Sequence, residues 1–271
     1  MNDTRRISEL PNALTDWPRV REVLAGRRPA VFLDYDGVLT PLVPRPEDAV
    51  ISDRMREVVR ALAARTPVCV VTGRDRRTAQ RLMGMRDLVV AGSHGFEMWS
   101  PDGSLRSPME SGEFDELLGA VTRRLEEGVG TLPGVIIESK PSSVSVHYRV
   151  AGEDATAAVQ EEVARILAEH PELKLTPGKR VRELLPNVPW DKGAAVRHLL
   201  TVLGLDTPDV VPVYVGDDIT DEHALEAVRD LGGLGVHVGD PVEGEDRPTH
   251  ATYGLHSPDE VGLLLEKLTA V

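Results

Sequence analysis

Ala30-Val31-Phe32-Leu33-Asp34-Tyr35-Asp36-Gly37 is a short apolar run that ends abruptly in two carboxylates and a glycine. Apolar runs of this length read as strands buried on both faces of a parallel sheet. In open α/β sheets ligands bind at the carboxyl ends of such strands, which is where Asp34 and Asp36 stand. Residues i and i+2 of a strand share a face, so both carboxylates can address one site. Side by side they repel unless a cation or a proton intervenes. A Mg²⁺ ion resolves the conflict, because it takes a few hard oxygen ligands and keeps its waters. Gly37 permits the tight departure from the strand. Read alone, the stretch is equally an acidic turn.

Outward from this point strands and helices alternate. After the prolines at 41, 44 and 46, Ser52 reads as the N-cap of a helix with apolar Met55, Val58, Val59 and Leu62. Pro67–Val71 is a second strand, followed by Thr72-Gly73-Arg74 and a helix to about Met83, and Leu88–Ala91 is a third. The order predicts right-handed βαβ units in a doubly wound, Rossmann-like parallel sheet. Between about 110 and 187 the pattern changes. A helix (Phe114–Glu127) precedes strands at Val135–Glu138 and Ser143–Val150, the second alternating as a half-solvated antiparallel strand does. A helix near 155–169 and short strands at Leu173 and Val181–Leu185 complete an α+β insert. Alternation then resumes with a helix at Lys192–Leu203, a strand at Val210–Val215, a helix from Asp221, a strand at Leu234–Val238 and a helix from Ser257. The expected organisation is a core of 1–109 and 188–271 with an inserted domain at 110–187.

Composition bounds the partners. The chain of 271 residues carries 31 basic and 44 acidic side chains, a formal charge of −13. At roughly 150 residues per domain it is one large or two modest domains. Its 41% hydrophobic and 28% charged content excludes collagen-like and wholly disordered classes. The acidic balance argues against nucleic-acid binding. No apolar run reaches the roughly 18 residues of a membrane span, and no secretory signal opens the chain. The single cysteine, Cys69, sits in an apolar run and reads as a buried structural thiol; together these features point to the cytoplasm. Lysine is scarce, at positions 140, 174, 179, 192 and 267 only.

Three further segments carry chemistry. Gly216-Asp217-Asp218-Ile219-Thr220-Asp221-Glu222 follows the Val210–Val215 strand and sets four carboxylates in six residues. Asp221 and Glu222 suit a helix N-terminus, but Asp217 and Asp218 precede that helix and call for a cation. Thr72-Gly73-Arg74 lies at a strand-to-helix junction, where a hydroxyl and free N–H groups can hold phosphate oxygens; Thr72 as a simple N-cap is compatible with that. Lys192 opens a helix, where a cation is unfavourable unless an anion is near. A solvated surface lysine is the alternative.

Taken in order, Asp34-Tyr35-Asp36-Gly37, Thr72-Gly73, Lys192 and Gly216-Asp217-Asp218-x-x-Asp221 resemble the four motifs of the haloacid dehalogenase superfamily of phosphatases. The insert between the second and third motifs then corresponds to that superfamily's cap. Over nearly its whole length the chain also resembles the trehalose-6-phosphate phosphatase family. This likeness rests on Ala91-Gly92-Ser93-His94-Gly95-Phe96-Glu97, Glu138-Ser139-Lys140-Pro141-Ser142, His147-Tyr148-Arg149, Gly178-Lys179 with Glu183, and the Gly216–Glu222 segment. Val38 departs from the threonine usual in the first motif.

The resemblance implies the following roles. Asp34 attacks phosphorus and forms an aspartyl-phosphate, while Asp36 protonates the departing sugar oxygen and then activates water. Mg²⁺ is held by Asp34, Asp217 and the backbone carbonyl of Asp36, with Asp218 and Asp221 orienting that shell. Thr72 and Lys192 bind the phosphoryl oxygens. Arg74, His94 and Glu97 in the core and Glu138, Lys140, Ser142, His147, Arg149 and Glu183 in the cap contact the substrate, and cap closure excludes water. The implied partner is a small sugar phosphate. Other readings stay open here: another phosphorylated disaccharide, a phosphomutase, or a catalytically silent sugar-phosphate sensor.

Overall fold

The computed structural model describes residues 4–105, 114–140, 142–178, 180–240 and 246–271. In chain order the elements are β1 (Arg5–Arg6), α1 (Trp17–Leu24), β2 (Arg28–Leu33), α2 (Asp53–Ala63), β3 (Val68–Val71), α3 (Arg76–Met83), β4 (Val89–Gly92) and β5 (Glu97–Trp99). Then come α4 (Asp115–Glu127), β6 (Ile136–Lys140), β7 (Ser143–His147), α5 (Glu153–Glu169), β8 (Leu173–Gly178) and β9 (Val181–Pro186). The chain ends with α6 (Lys192–Val202), β10 (Val210–Gly216), α7 (Glu222–Asp230), β11 (Leu234–Val238), β12 (Pro248–Thr249), β13 (Tyr253–Leu255) and α8 (Pro258–Thr269).

The chain divides into two units, Met1–Arg106 with Trp190–Val271, and Ser107–Pro189. The first is built on a seven-stranded sheet in the order β13-β11-β10-β2-β3-β4-β5. All its pairings are parallel except β4 with β5. β2 is buried on both faces: Val31 and Leu33 join the cluster under α1, α2, α3 and α8, while Ala30 and Phe32 join the one under α6 and α7. Cys69 lies in this second cluster, and burial pushes its thiol up to about 12. The second unit is a four-stranded antiparallel sheet, β6-β7-β9-β8, with α4 and α5 covering one face.

Several sequence expectations are corrected. β5 is an antiparallel edge strand of three residues, and α1, β1, β12 and β13 are additional; the strands among them, of two or three residues each, are too short for periodicity to reveal. The strand expected to reach Val150 stops at His147, and Ser143 and Ser145, expected to face solvent, are only 3% and 2% exposed. Helix α3 is capped by Asp75, whose carboxylate accepts from the Thr78 N–H, so Thr72 is not its N-cap. Ser52 caps α2, accepting from the Met55 N–H. The expected boundary near 110, Pro141 and Lys179 lie outside the described residues.

Candidate active site

Strand β2 lies between β10 and β3, so Asp34, Asp217 and Thr72 leave three adjacent strands at their carboxyl ends. The Asp34 N–H donates to the Val215 carbonyl at 2.9 Å, which locks the two acidic turns together. Gly37 has φ +72°, and any side chain there would overlap the Asp217 carboxylate. Glycine is therefore what lets the first acidic turn face the second.

Lys192 is the centre of charge. It is the first residue of α6, whose N-cap Asp191 accepts from the Ala194 N–H. Its Nζ lies 3.0 Å from Asp34 Oδ1 and 2.7 Å from Asp221 Oδ1, with 3% of the side chain exposed. The solvated-lysine alternative is excluded. Burial disfavours the ammonium, but Asp221 and Asp34 outweigh it and hold its pKa above the ordinary value.

The three carboxylates around Lys192 have different fates. Asp221 is wholly buried. Its Oδ1 accepts from Lys192 and, at 2.5 Å, from the Tyr214 hydroxyl, and its Oδ2 accepts from the Asp217 and Asp218 N–H groups at 3.0 Å each. Burial opposes its charge, yet Lys192 and these donors bring its pKa below the ordinary value. Asp34 is raised to about 7, chiefly by burial and then by Asp221, against the pull of Lys192. Asp217 is raised to about 8 by burial and by the charges of Asp34, Asp221 and Asp218.

The same acidic side chains could hold a metal ion. Asp34, Asp217 and Asp221 each offer an oxygen within 4.8 Å of the others. All four hydrogen-bonding positions of Asp221 are filled, whereas Asp217 has no hydrogen bond or ion pair from a side chain or backbone group among the described residues. Hard oxygen donors with uncompensated negative charge fit a divalent cation such as Mg²⁺.

Asp36 stands apart from this cluster. Arg74 grips both its oxygens, Nε to Oδ2 and Nη2 to Oδ1 at 2.6 Å each, and the guanidinium lies 5.6 Å from the Tyr35 ring centroid. Arg74, expected to contact substrate, is thus engaged by Asp36. Adjacent strand ends bring the pair together across 38 residues of chain. Asp218, expected behind the metal shell, is exposed and accepts from the Ile219 N–H. Thr72 is buried, and its Oγ1 accepts from the Arg74 N–H at 3.1 Å. The Glu97 carboxylate takes a hydrogen bond from Ser93, and His94 packs on Gly73. Sequence reading missed Tyr214, although a tyrosine within the otherwise apolar Val210–Val215 run was the signal.

In the second unit Glu138, Lys140, His147 and Glu183 gather on one sheet face. Register aligns Glu138 with Ser145, Ser145 with Glu183 and Glu183 with Thr176. Glu138 Oε2 pairs with His147 Nε2 at 2.8 Å, and this hydrogen bond lowers the Glu138 pKa. Glu183 Oε1 accepts from Lys140 at 3.0 Å and from Ser143 at 2.7 Å. Ser142 Oγ is buried without a hydrogen-bond partner among the described residues. Arg149 lies beyond the end of β7 and is exposed.

Residues 32–259 match the family described as Trehalose-phosphatase. The chain belongs to the trehalose-phosphatase family. With it, the chain belongs to the phosphoric monoester hydrolases. Trehalose-phosphate phosphatase B of Arabidopsis thaliana is 36% identical over 275 residues, covering 98% of this chain and 72% of the relative. Among solved structures, a trehalose-6-phosphate phosphatase related protein superposes with a TM-score of 0.73 at 26% identity, covering 89% of this chain and 97% of its own. A haloacid dehalogenase-like hydrolase from Bacteroides thetaiotaomicron shares the fold, with a TM-score of 0.64 at 16% identity over 89% of this chain and all of its own. Seen as a trehalose-phosphatase, the chain has a Rossmann-like core and an inserted α+β cap, the second unit. No helix among the described residues is long and apolar enough to cross a membrane.

Proposed function

We propose that this trehalose-phosphatase hydrolyses trehalose 6-phosphate to trehalose and phosphate through a phosphorylated Asp34. The observation that carries the reading is Asp34 itself, buried and tethered to Lys192 at the end of the central strand, beside the uncompensated Asp217. A carboxylate oxygen of Asp34 attacks phosphorus, and the bond from phosphorus to the sugar oxygen breaks. Asp36, carrying a proton on an oxygen that Arg74 has released, gives that proton to the sugar oxygen. It then takes a proton from the water that attacks phosphorus and releases Asp34. Lys192 spends two of its three donors on Asp34 and Asp221, which leaves one for a phosphoryl oxygen. The Thr72 oxygen accepts from Arg74, so its own O–H is free to donate to another.

Mg²⁺ held by Asp34, Asp217 and the Asp36 carbonyl would neutralise charge on the phosphoryl group. Asp221, with every acceptor position filled, fixes Lys192 and the 217–218 backbone. The cap face of Glu138, Lys140, His147 and Glu183, with Ser142 and Arg149 at the two ends of β7, supplies donors and acceptors of the kind sugar hydroxyls require. The test is phosphate release over a panel of sugar phosphates, with Mg²⁺ and with excess chelator. Release confined to trehalose 6-phosphate and dependent on the cation supports the proposal. Equal rates on all sugars, or full activity in chelator, overturns it.

A further inference from the structure

The turn after β4 places three left-handed residues in succession, Ser93 (φ 48°), His94 (φ 57°) and Gly95 (φ 96°). Left-handed backbone is uncommon for residues bearing a side chain, and it persists where the surroundings impose it. Here the turn is fastened to the segment that follows β3. The Ser93 N–H donates to the Arg74 carbonyl at 2.7 Å, and the His94 N–H donates to the Thr72 carbonyl at 2.8 Å. The His94 ring lies so near Gly73 that a Cβ there would come within 2.8 Å of its Cε1.

One side chain closes the arrangement. Glu97 accepts from the Ser93 hydroxyl at 2.5 Å. Burial raises its pKa above the ordinary carboxylate value, consistent with a group largely withdrawn from water. Ser93 is thus held on two sides, its hydroxyl by Glu97 and its N–H by the Arg74 carbonyl, which keeps the left-handed turn against Thr72-Gly73-Arg74.

We propose that Glu97 is a positioning residue: with Ser93 it clamps the left-handed turn against Thr72-Gly73-Arg74, and so aims the Thr72 hydroxyl and the Arg74 fork that holds Asp36. This assignment differs from the substrate contact that the resemblance implied for Glu97. Ser93 carries the strain, and its hydroxyl is what the clamp grips. Removing the hydroxyl while keeping a side chain, in Ser93→Ala, leaves the strain with no compensation. Ser93→Gly loses the same hydroxyl but removes the backbone cost.

The test compares Glu97→Ala, Glu97→Gln, Ser93→Ala and Ser93→Gly with the wild type. Amide hydrogen exchange at positions 93 and 94 reports the clamp directly. Glu97→Ala and Ser93→Ala should speed it by about tenfold or more, since those N–H groups open locally. Turnover of both trehalose 6-phosphate and an aryl phosphate should fall about ten- to a hundredfold in the same variants, in kcat with KM nearly unchanged. Glu97→Gln keeps an acceptor oxygen and should restore both readouts, and Ser93→Gly should be milder than Ser93→Ala. Only the kinetic arm rests on the phosphatase reading. An inactive wild type with the expected exchange pattern would sink that reading and keep the clamp. Unchanged exchange in both alanine variants overturns the clamp. So does a loss confined to trehalose 6-phosphate, which would return Glu97 to sugar contact.

Discussion

Lys192 and Tyr214 show how one buried carboxylate can be kept charged beside two that resist charge. Asp221 gathers four donors, while Asp34 shares Lys192 with it and Asp217 has none of these partners. Asp34→Asn removes the nucleophile but keeps the shape of the side chain. We expect at least about a hundredfold loss of kcat, the least an essential catalytic group contributes, with an unaltered circular dichroism spectrum. Retention of a tenth of the activity would contradict nucleophilic catalysis. Tyr214→Phe deletes one donor to Asp221 without creating a cavity. It should cost about 1.5–3 kcal/mol in a urea titration, the range for a hydrogen bond to a charged group. The sequence alone supports the choice of Asp34, Thr72, Lys192 and Asp217, because each sits at a junction where strand periodicity gives way to helix. The Asp36–Arg74 fork and the saturation of Asp221 are contacts between distant segments, and no local pattern encodes them.

At the scale of the element, the cap sheet presents charges already paired with one another. Lys140 serves Glu183, and Glu138 serves His147. A sugar that binds this face must exchange hydroxyls for those partners, so the face is selective for ligands that satisfy every group it frees. Lys140→Ala or Glu138→Ala should lower kcat/KM for trehalose 6-phosphate by about ten- to a hundredfold, the equivalent of a charged hydrogen bond. An aryl phosphate offers no hydroxyls there and should be turned over nearly as before. Comparable losses on both substrates would assign these residues to folding. The polar alternation of β7 was legible in the sequence. The burial of Ser143 and Ser145 was not, because it depends on long side chains brought from β6 and β9.

At the scale of the molecule, the acidic turns impose a pH dependence. Asp34 and Asp217 have folded pKa values raised to about 7 and about 8, so the folded state holds protons that the unfolded chain releases near pH 4. Their contribution to stability is therefore lost as pH rises through that window. Chelated protein should melt at progressively lower temperature from pH 5 to pH 8, and added Mg²⁺ should flatten the trend by binding only the folded state. Asp217→Asn in chelator should recover about 2–4 °C for each kcal/mol of repulsion relieved, and it should abolish the response to Mg²⁺. A melting temperature independent of pH and cation in the wild type would contradict the assigned cluster.

The sequence by itself determined the alternation of strand and helix, the interrupted core and the four segments that carry chemistry. It could do so because apolar runs, caps and acidic turns are local and each constrains its own neighbourhood. Tertiary structure alone decided which charges meet: Arg74 on Asp36, Lys192 between Asp34 and Asp221, and Lys140 on Glu183. The parallel order β10-β2-β3-β4 brings together loops separated by tens to nearly two hundred residues. Partners within hydrogen-bond reach are then set by strand register and by the space that glycines such as Gly37 and Gly73 leave, neither of which is written in any single segment.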